Sequence, residues 1–394
     1  MKLSEKKIKK MIAMMNSISE VKIPPLKPIV ECFDVSMDAT MLDFLLEAGS
    51  KAHSSEELKC LYLEKFFQAN GETRAWEEFW NELLEMSFVF PADHEHPDMY
   101  QLAPIFPGWI ELGVSGPLNE KRQAVMNKFM EFWGLLSKLN IPPIRMYMDR
   151  KGMKKRDGGT PHMGINVSRG SREISLDQPL NSEHQVYLAG EVYQLLKRHE
   201  NEIAVMNCFC RLYKSINGLG ECREGLPIEG CISLGAVSRH LEENGVAKHL
   251  SYEEACELMD EFERKGCIHT TYHYGCDANQ EEIVICNCCK DCCLLFTDYL
   301  SGGLSKIFVK SYYIPEMIDE SKCVGCDKCG RYCPTEATYY DRQAKKLVFD
   351  AEKCIGCGQC VNQCAFDVRK MVRDERNVFV KTKRKKDVKE AANA

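Results

Sequence analysis

Eight cysteines near the end of the chain stand at a spacing typical of inorganic clusters. They form two runs, each with three cysteines two residues apart and a fourth after three more: Cys323, Cys326, Cys329 and Cys333, then Cys354, Cys357, Cys360 and Cys364. Each cysteine recurs at an offset of 31 residues, which indicates an internal duplication. A zinc ribbon would leave four of these eight thiols without a role, whereas three close cysteines and a distant fourth suit a 4Fe-4S cubane.

The two runs resemble the bacterial ferredoxins that carry two 4Fe-4S clusters, over about Ser321 to Met371. In that family the fourth cysteine of each run crosses to the other cluster. The resemblance therefore implies Cys323, Cys326, Cys329 and Cys364 around cluster one, and Cys333, Cys354, Cys357 and Cys360 around cluster two. Small residues must lie beside the irons, and four glycines meet that need: Gly325, Gly330, Gly356 and Gly358. The second run ends in Cys364-Ala365 instead of Cys-Pro, a departure that affects the turn and not the ligand.

A second set of cysteines lies in the middle of the chain at spacings that no ferredoxin repeat explains. Its candidate metal ligands are Cys208, Cys210, Cys222, Cys231, Cys286, Cys288, Cys289, Cys292 and Cys293. Adjacent cysteines point in different directions, so such a pair suits two neighbouring clusters, or different irons of one unusual cluster, better than one tetrahedral ion. We expect one or two further iron-sulfur clusters here, and so about twelve to sixteen irons per chain with little zinc.

The middle module is similar to a group of larger iron-sulfur proteins from anaerobes, in which CxCR and CNCC-type segments precede a two-cluster ferredoxin. The matching pieces are NCFCR at Asn207 to Arg211, EGCISLG at Glu229 to Gly235, KGCIHT at Lys265 to Thr270 and ICNCCKDCC at Ile285 to Cys293. This resemblance implies that the chain transfers electrons and that its middle module holds at least one cluster, but it does not identify a reaction.

Other residues of the module have plainer interpretations. We expect Cys256 to be a core thiol, and Cys267 and Cys276 not to be ligands, because free cysteine packs like a small hydrophobe. Arg211 has three open roles: a hydrogen bond to a cluster sulfide, docking of a substrate carboxylate, or a surface ion pair. His269 is more typical of a buried, hydrogen-bonded histidine than of a ligand.

The composition of the chain indicates its cellular compartment and limits the classes of partner it is expected to bind. Of 22 cysteines in 394 residues, only Cys32 and Cys60 precede residue 208. The N-terminal stretch lacks a signal peptide's apolar run and no segment suits a membrane span, so we expect a cytoplasmic protein with reduced, metal-binding thiols. A net charge of −6 makes nucleic acid an unlikely partner. Both basic termini are interpreted as solvated, with docking to an acidic partner as the alternative.

The elements around the cysteines indicate an α+β chain of several units. Capping boxes at Ser54/Glu57 and Ser251/Glu254 begin amphipathic helices. The expected boundaries are a helical, winged-helix-like docking domain at 1–115, a connecting region at 116–206, a cysteine-rich module at 207–310, a ferredoxin domain at 311–371 and a basic tail at 372–394.

The number of expected clusters favours a multi-cluster protein that passes low-potential electrons between a donor and a partner protein. The expected redox partner is a ferredoxin, a flavoprotein or another oxidoreductase subunit. The alternatives are a redox enzyme with a catalytic middle cluster, similar to heterodisulfide reductases, and a reductive activator of another protein's cofactor. A winged-helix redox regulator is less favoured, because no basic recognition helix stands between Thr73 and Leu84. Homo- or hetero-oligomers remain open. Phosphate-loop, GxGxxG and HExxH motifs are missing from the sequence.

Overall fold

The structure is a computed structural model with mixed helices and strands, 46% helical and 18% strand, as expected for an α+β chain. It describes residues 2–19, 22–68, 72–92, 96, 98–139, 164–166, 189–273, 282–300, 310–311 and 313–374. Cys276 and most of the basic tail lie outside these residues. None of the described helices is both long and apolar enough to cross a membrane.

The N-terminal part combines helices with a small antiparallel sheet. Its elements are α1 (Glu5–Ser17), α2 (Lys27–Ser36), α3 (Ala39–Ala48), β1 (His53–Ser54), α4 (Ser55–Lys65), α5 (Trp76–Glu85), β2 (Val89–Pro91) and β3 (Met99–Leu102). The strand order is β1-β3-β2. The capping box at Ser54 and Glu57 begins α4 as expected. A winged helix stays a prediction for this part.

A helical segment then leads to the cysteine-rich module. It contains the π-helical turn Ile105–Trp109, α6 (Ile110–Gly113) and α7 (Glu120–Leu139), which packs against α2. Arg122 is buried and its guanidinium donates to the carbonyl oxygens of Gly113, Pro117 and Glu85. This side chain fixes the start of α7 against the end of α5.

The middle module is built on a six-stranded antiparallel sheet. Its elements are β4 (Gly164–Asn166), α8 (Ala189–Arg198), β5 (Ile203–Asn207), α9 (Phe209–Ile216), β6 (Glu229–Leu234), α10 (Gly235–Glu243), β7 (Ala247–His249), α11 (Tyr252–Arg264), β8 (Ile268–His273), β9 (Glu282–Cys288) and α12 (Leu294–Leu300). The strand order is β4-β8-β9-β6-β5-β7. Strands β4 and β5 precede the boundary expected at residue 207, so this sheet is continuous across it.

The C-terminal segment has two short antiparallel ribbons. Its elements are β10 (Tyr313–Met317), the 3-10 turn Glu320–Lys322, α13 (Lys328–Tyr332), β11 (Thr338–Asp341), β12 (Lys346–Phe349), α14 (Gln359–Asn362) and β13 (Arg369–Arg373). Strand β10 pairs with β13, and β11 pairs with β12 as the hairpin expected between the cysteine runs. The two ribbons flank the cysteine loops.

Candidate functional site

The two cysteine runs of the C-terminal segment fold as matching loops, each followed by a short helix. Cys323 comes directly after the 3-10 turn, and α13 carries Cys329 with Cys333 immediately after its last residue. In the second run α14 carries Cys360. Helices α13 and α14 contact each other, so the duplicated sequence forms a paired structure.

The backbone of these loops fits a buried inorganic cluster. Gly325 and Gly356, each placed just before a cysteine, have φ angles of 68° and 77°, which any larger residue would adopt with strain. The N–H of Gly356 donates to Cys354 Sγ at 3.3 Å, and the N–H of Ala337 donates to Cys333 Sγ at 3.1 Å. Backbone donors of this kind stabilise thiolate ligands. The residues present therefore fit 4Fe-4S clusters.

Cys333 acts electrostatically on cysteines of the second run. Burial raises the pKa of the Cys357 thiol well above its ordinary value, and the charges of Cys333, Cys354 and Cys360 raise it further. Burial also raises the pKa of Cys360 to about 12, although the charge of Arg369 opposes the rise. The last cysteine of the first run therefore shares an electrostatic environment with three cysteines of the second.

The two runs differ in their access to solvent. Cys326 of the first run is exposed, whereas Cys354 and Cys357 of the second are buried. Cys357 belongs to the same apolar core as Cys288 and Cys293 of the middle module. The second run is therefore the inner one, and it belongs to the core that also contains the middle cysteines.

Six cysteines of the middle module form a closed ring of thiols. In order around the ring they are Cys208, Cys210, Cys293, Cys288, Cys286 and Cys231. Each member shifts the pKa of its neighbours in the ring, and the Sγ atoms of Cys288 and Cys293 are 3.2 Å apart. The pairing of β6 with β9 sets Cys231 opposite Cys286. Six thiols are more than one cubane requires, which favours an atypical or larger cluster.

Two thiols of this ring are stabilised as thiolates. Cys208 accepts hydrogen bonds from Cys210 and Cys231, which lower its pKa well below the ordinary value. Cys288 accepts hydrogen bonds from Cys286 and Cys293, which lower its pKa to about 7. Metals and clusters bind the thiolate form, so the ring has the donor chemistry of a metal centre.

Cys222, Cys289 and Cys292 form a second, separate group, which we call the triad. Their three Sγ atoms all lie within 4.8 Å of one another, and those of Cys222 and Cys289 are 3.7 Å apart. Both pairs of adjacent cysteines are divided, because Cys288 and Cys293 belong to the ring while Cys289 and Cys292 belong to the triad. The expectation that adjacent cysteines point in different directions agrees with this arrangement.

Arg211 is a buried cation next to both groups. It is 4% exposed, which excludes the surface ion pair, and no carboxylate among the described residues forms an ion pair with it. Its guanidinium donates to the carbonyl oxygens of Pro227 and Asn287 and lies over the ring of Phe262, while Nε has no partner. Burial alone would lower the pKa of Arg211, but nearby thiolates, chiefly Cys208, outweigh burial and raise it.

A Cβ atom at Gly230 would overlap this guanidinium. Glycine is therefore required at the residue before Cys231 so that Arg211 can reach its two carbonyl acceptors. The polar groups around a buried charge must be satisfied by the protein. The negative charge that compensates the Arg211 guanidinium comes from the nearby thiolates, chiefly Cys208.

The ring lines a small, largely apolar cavity of about 70 Å³. Arg211 and the cysteines Cys289 and Cys292 of the triad also line it, together with Glu111 of α6 and Tyr272 of β8. Burial raises the pKa of Glu111 well above its ordinary value and outweighs the opposing effect of the backbone N–H groups of Glu111 and Gly108. No motif points to Glu111 or Tyr272, and Glu111 lies outside the cysteine-rich module and reaches the cavity only through the packing of α6.

The remaining expected residues take ordinary positions. Cys32 is buried in the N-terminal core and Cys60 is exposed. Cys256 packs partly buried beside α8, as a core thiol would. His269 is fully buried, with Nδ1 2.6 Å from Asn287 Oδ1. Cys267 is fully buried in an apolar cluster with Cys289 but outside the compact triad.

Comparison with known proteins identifies one part of the chain. The family model described as "4Fe-4S dicluster domain" matches residues 316–365, which contain all eight cysteines of the two runs. No curated protein and no solved structure is matched. The chain therefore contains a 4Fe-4S dicluster domain and many further cysteines, which supports iron-sulfur electron transfer.

Proposed function

We propose that this chain is a multi-cluster iron-sulfur protein that passes low-potential electrons between a donor and a partner oxidoreductase. A 4Fe-4S cluster takes up and releases single electrons when bound. The observation that carries the proposal is the common apolar core of Cys357, Cys288 and Cys293, which joins the inner cysteine run to the thiol ring. This continuity supports a path from the dicluster domain into the middle module.

The ligand sets we propose follow the crossed pattern. Cys323, Cys326, Cys329 and Cys364 would hold cluster one, and Cys333, Cys354, Cys357 and Cys360 would hold cluster two. The influence of Cys333 on the pKa of Cys357 supports the second set. The thiol ring would hold the further iron-sulfur centre of the middle module.

The dicluster domain also offers a surface to a redox partner. Exposed large apolar side chains are concentrated there: Met317, Ile318, Val324, Tyr339 and Phe366. Val324 follows Cys323 and is 63% exposed, and Phe366 lies two residues after Cys364. Exposed apolar side chains next to partly buried cluster ligands suit a transient contact with another redox protein.

Stopped-flow reduction of the anaerobic protein by a low-potential dye tests this function. Cys357→Ser should perturb cluster two, and reduction of the middle centre should then slow markedly while cluster one is still reduced. Cys60→Ser, which changes an exposed thiol of the N-terminal part, is the matched control. Reduction of the middle centre at the rate of the control would contradict the proposed path, and an iron content of only about eight per chain would contradict a middle cluster.

A redox enzyme is the second candidate, and Glu111 is the observation that favours it. A carboxyl group kept protonated by burial beside a thiol-lined cavity can donate a proton to a bound molecule. Glu111→Gln separates the two functions. Loss of turnover with a small thiol or disulfide, with unchanged dye reduction, would favour the enzyme over the electron carrier.

A further inference from the structure

The triad differs from the other cysteine groups in its compactness. Among the described residues, no three cysteines of the C-terminal repeat and no three of the ring come as close together as Cys222, Cys289 and Cys292. Compactness matters because the ligands of a cubane bind different irons, whereas the ligands of one ion must converge on a single point. The triad has the second arrangement.

The sulfur spacing fits a single tetrahedral ion. With a metal–sulfur bond of about 2.3 Å, tetrahedral geometry places two sulfur ligands about 3.8 Å apart. The Sγ atoms of Cys222 and Cys289 are 3.7 Å apart. We propose that Cys222, Cys289 and Cys292 bind one tetrahedral metal ion, with zinc as the metal, separate from the iron-sulfur centre of the ring.

The loop around the triad is already ordered for ligand binding. The N–H of Cys292 donates to Cys289 Sγ at 3.3 Å. Asp291 forms an ion pair with Lys214 at 2.6 Å and accepts from the N–H of Arg223 at 3.0 Å. These contacts fix the Cys289–Cys292 turn against α9 and the loop that carries Cys222, as hydrogen bonds around the ligands of a structural metal do.

Charge supports the same assignment. Three thiolates around a divalent ion leave a net charge of about −1. Lys214 Nζ lies 3.8 Å from Cys292 Sγ and supplies a compensating positive charge. Asp291 is engaged by Lys214 and Arg223, and its Oδ2 lies 3.4 Å from Cys292 Sγ. The triad thus supplies three thiolate ligands for the ion.

The proposed zinc ion is separate from the electron path. Its presence differs from the expectation, drawn from the sequence, that the chain holds little zinc. The test is metal analysis of protein purified anaerobically after growth with both iron and zinc. We expect about one zinc per chain besides the iron of the clusters. Cys222→Ser and Cys292→Ser should each lose the zinc and keep the iron, while Cys256→Ser, a cysteine of the same module outside the triad, should keep both.

A spectroscopic measurement on the unaltered chain covers the case in which these variants fail to fold. Zinc-edge X-ray absorption should give sulfur scatterers at about 2.3 Å. A chain that takes up no zinc, or triad variants that lose about four irons instead, would overturn the proposal and assign the triad to a cluster. Zinc at the triad with no electron transfer would overturn only the proposed function.

Discussion

The side-chain amide of Gln359 donates a hydrogen bond to the backbone carbonyl of Cys267 at 2.7 Å, and both residues are fully buried. Gln363, one turn later, donates to the carbonyl oxygen of Glu263 at 3.2 Å. These bonds join α14 of the dicluster domain to the end of α11 and the start of β8. The orientation of the inner cysteine run against the middle module therefore depends on two glutamines.

Gln359→Leu should destabilise this junction. The substitution keeps most of the side-chain volume but leaves the Cys267 carbonyl buried without its donor, which costs about 1–3 kcal/mol in the free energy of unfolding. Anaerobic urea unfolding measures the loss. Gln343→Leu, at an exposed position in the turn of the β11–β12 hairpin, is the control, and equal stability of the two variants would contradict the role of Gln359.

His240→Phe should make stability less sensitive to acid. His240 is buried between the rings of Phe90 and Tyr100, and burial lowers its pKa from 6.5 to about 4. The unfolded chain therefore binds the proton more readily, so stability is lost as pH falls below about 6.5 and the loss levels off below about pH 4. At pH 5.5 the histidine should cost about 1.4 kcal/mol relative to pH 8.

Unfolding of wild type and variant at these two pH values measures the difference. Phenylalanine fits between the aromatic rings and does not titrate, so its stability curve should be flatter. His249→Gln changes an exposed histidine paired with Glu242 and should keep the wild-type slope. A His240→Phe protein with the wild-type slope would show that another group controls the acid response.

The sequence predicted correctly the elements that form through interactions between residues close together in the chain. The capping box of Ser251 and Glu254 begins α11 as expected, because its hydrogen bonds join residues only three apart. The closed ring could not be predicted, since Cys231 meets Cys286 only through the pairing of two strands far apart in sequence. The same limit applies to Glu111, which reaches the cavity through tertiary packing that no motif encodes.

Cys333→Ser should damage cluster two and spare cluster one, if the ligands cross as proposed. Cys333 is close in sequence to Cys329 but raises the pKa of Cys357. Cys364→Ser is the reciprocal variant and should damage cluster one. EPR of the reduced proteins distinguishes the two signals, and loss of the cluster one signal in Cys333→Ser would disprove the crossed assignment.

Arg211→Met should make the reduction potential of the middle centre more negative. An electron adds negative charge to the centre, and the buried guanidinium beside Cys208 and Cys231 stabilises that charge. Methionine removes the charge and both hydrogen bonds to carbonyl oxygens, so the variant should also lose about 1–3 kcal/mol of stability for each unsatisfied acceptor. Anaerobic redox titration followed by EPR measures the potential, and urea unfolding measures the stability.

Two further variants separate charge from packing at this position. Arg211→Lys keeps a positive charge without the planar fork that reaches both carbonyl oxygens, so it should lose stability while retaining most of the wild-type potential. Arg239→Met, at a partly exposed arginine paired with Glu202, should change neither quantity. If Arg211→Met lowered the stability but left the potential unchanged, Arg211 would be a structural residue that does not tune the centre.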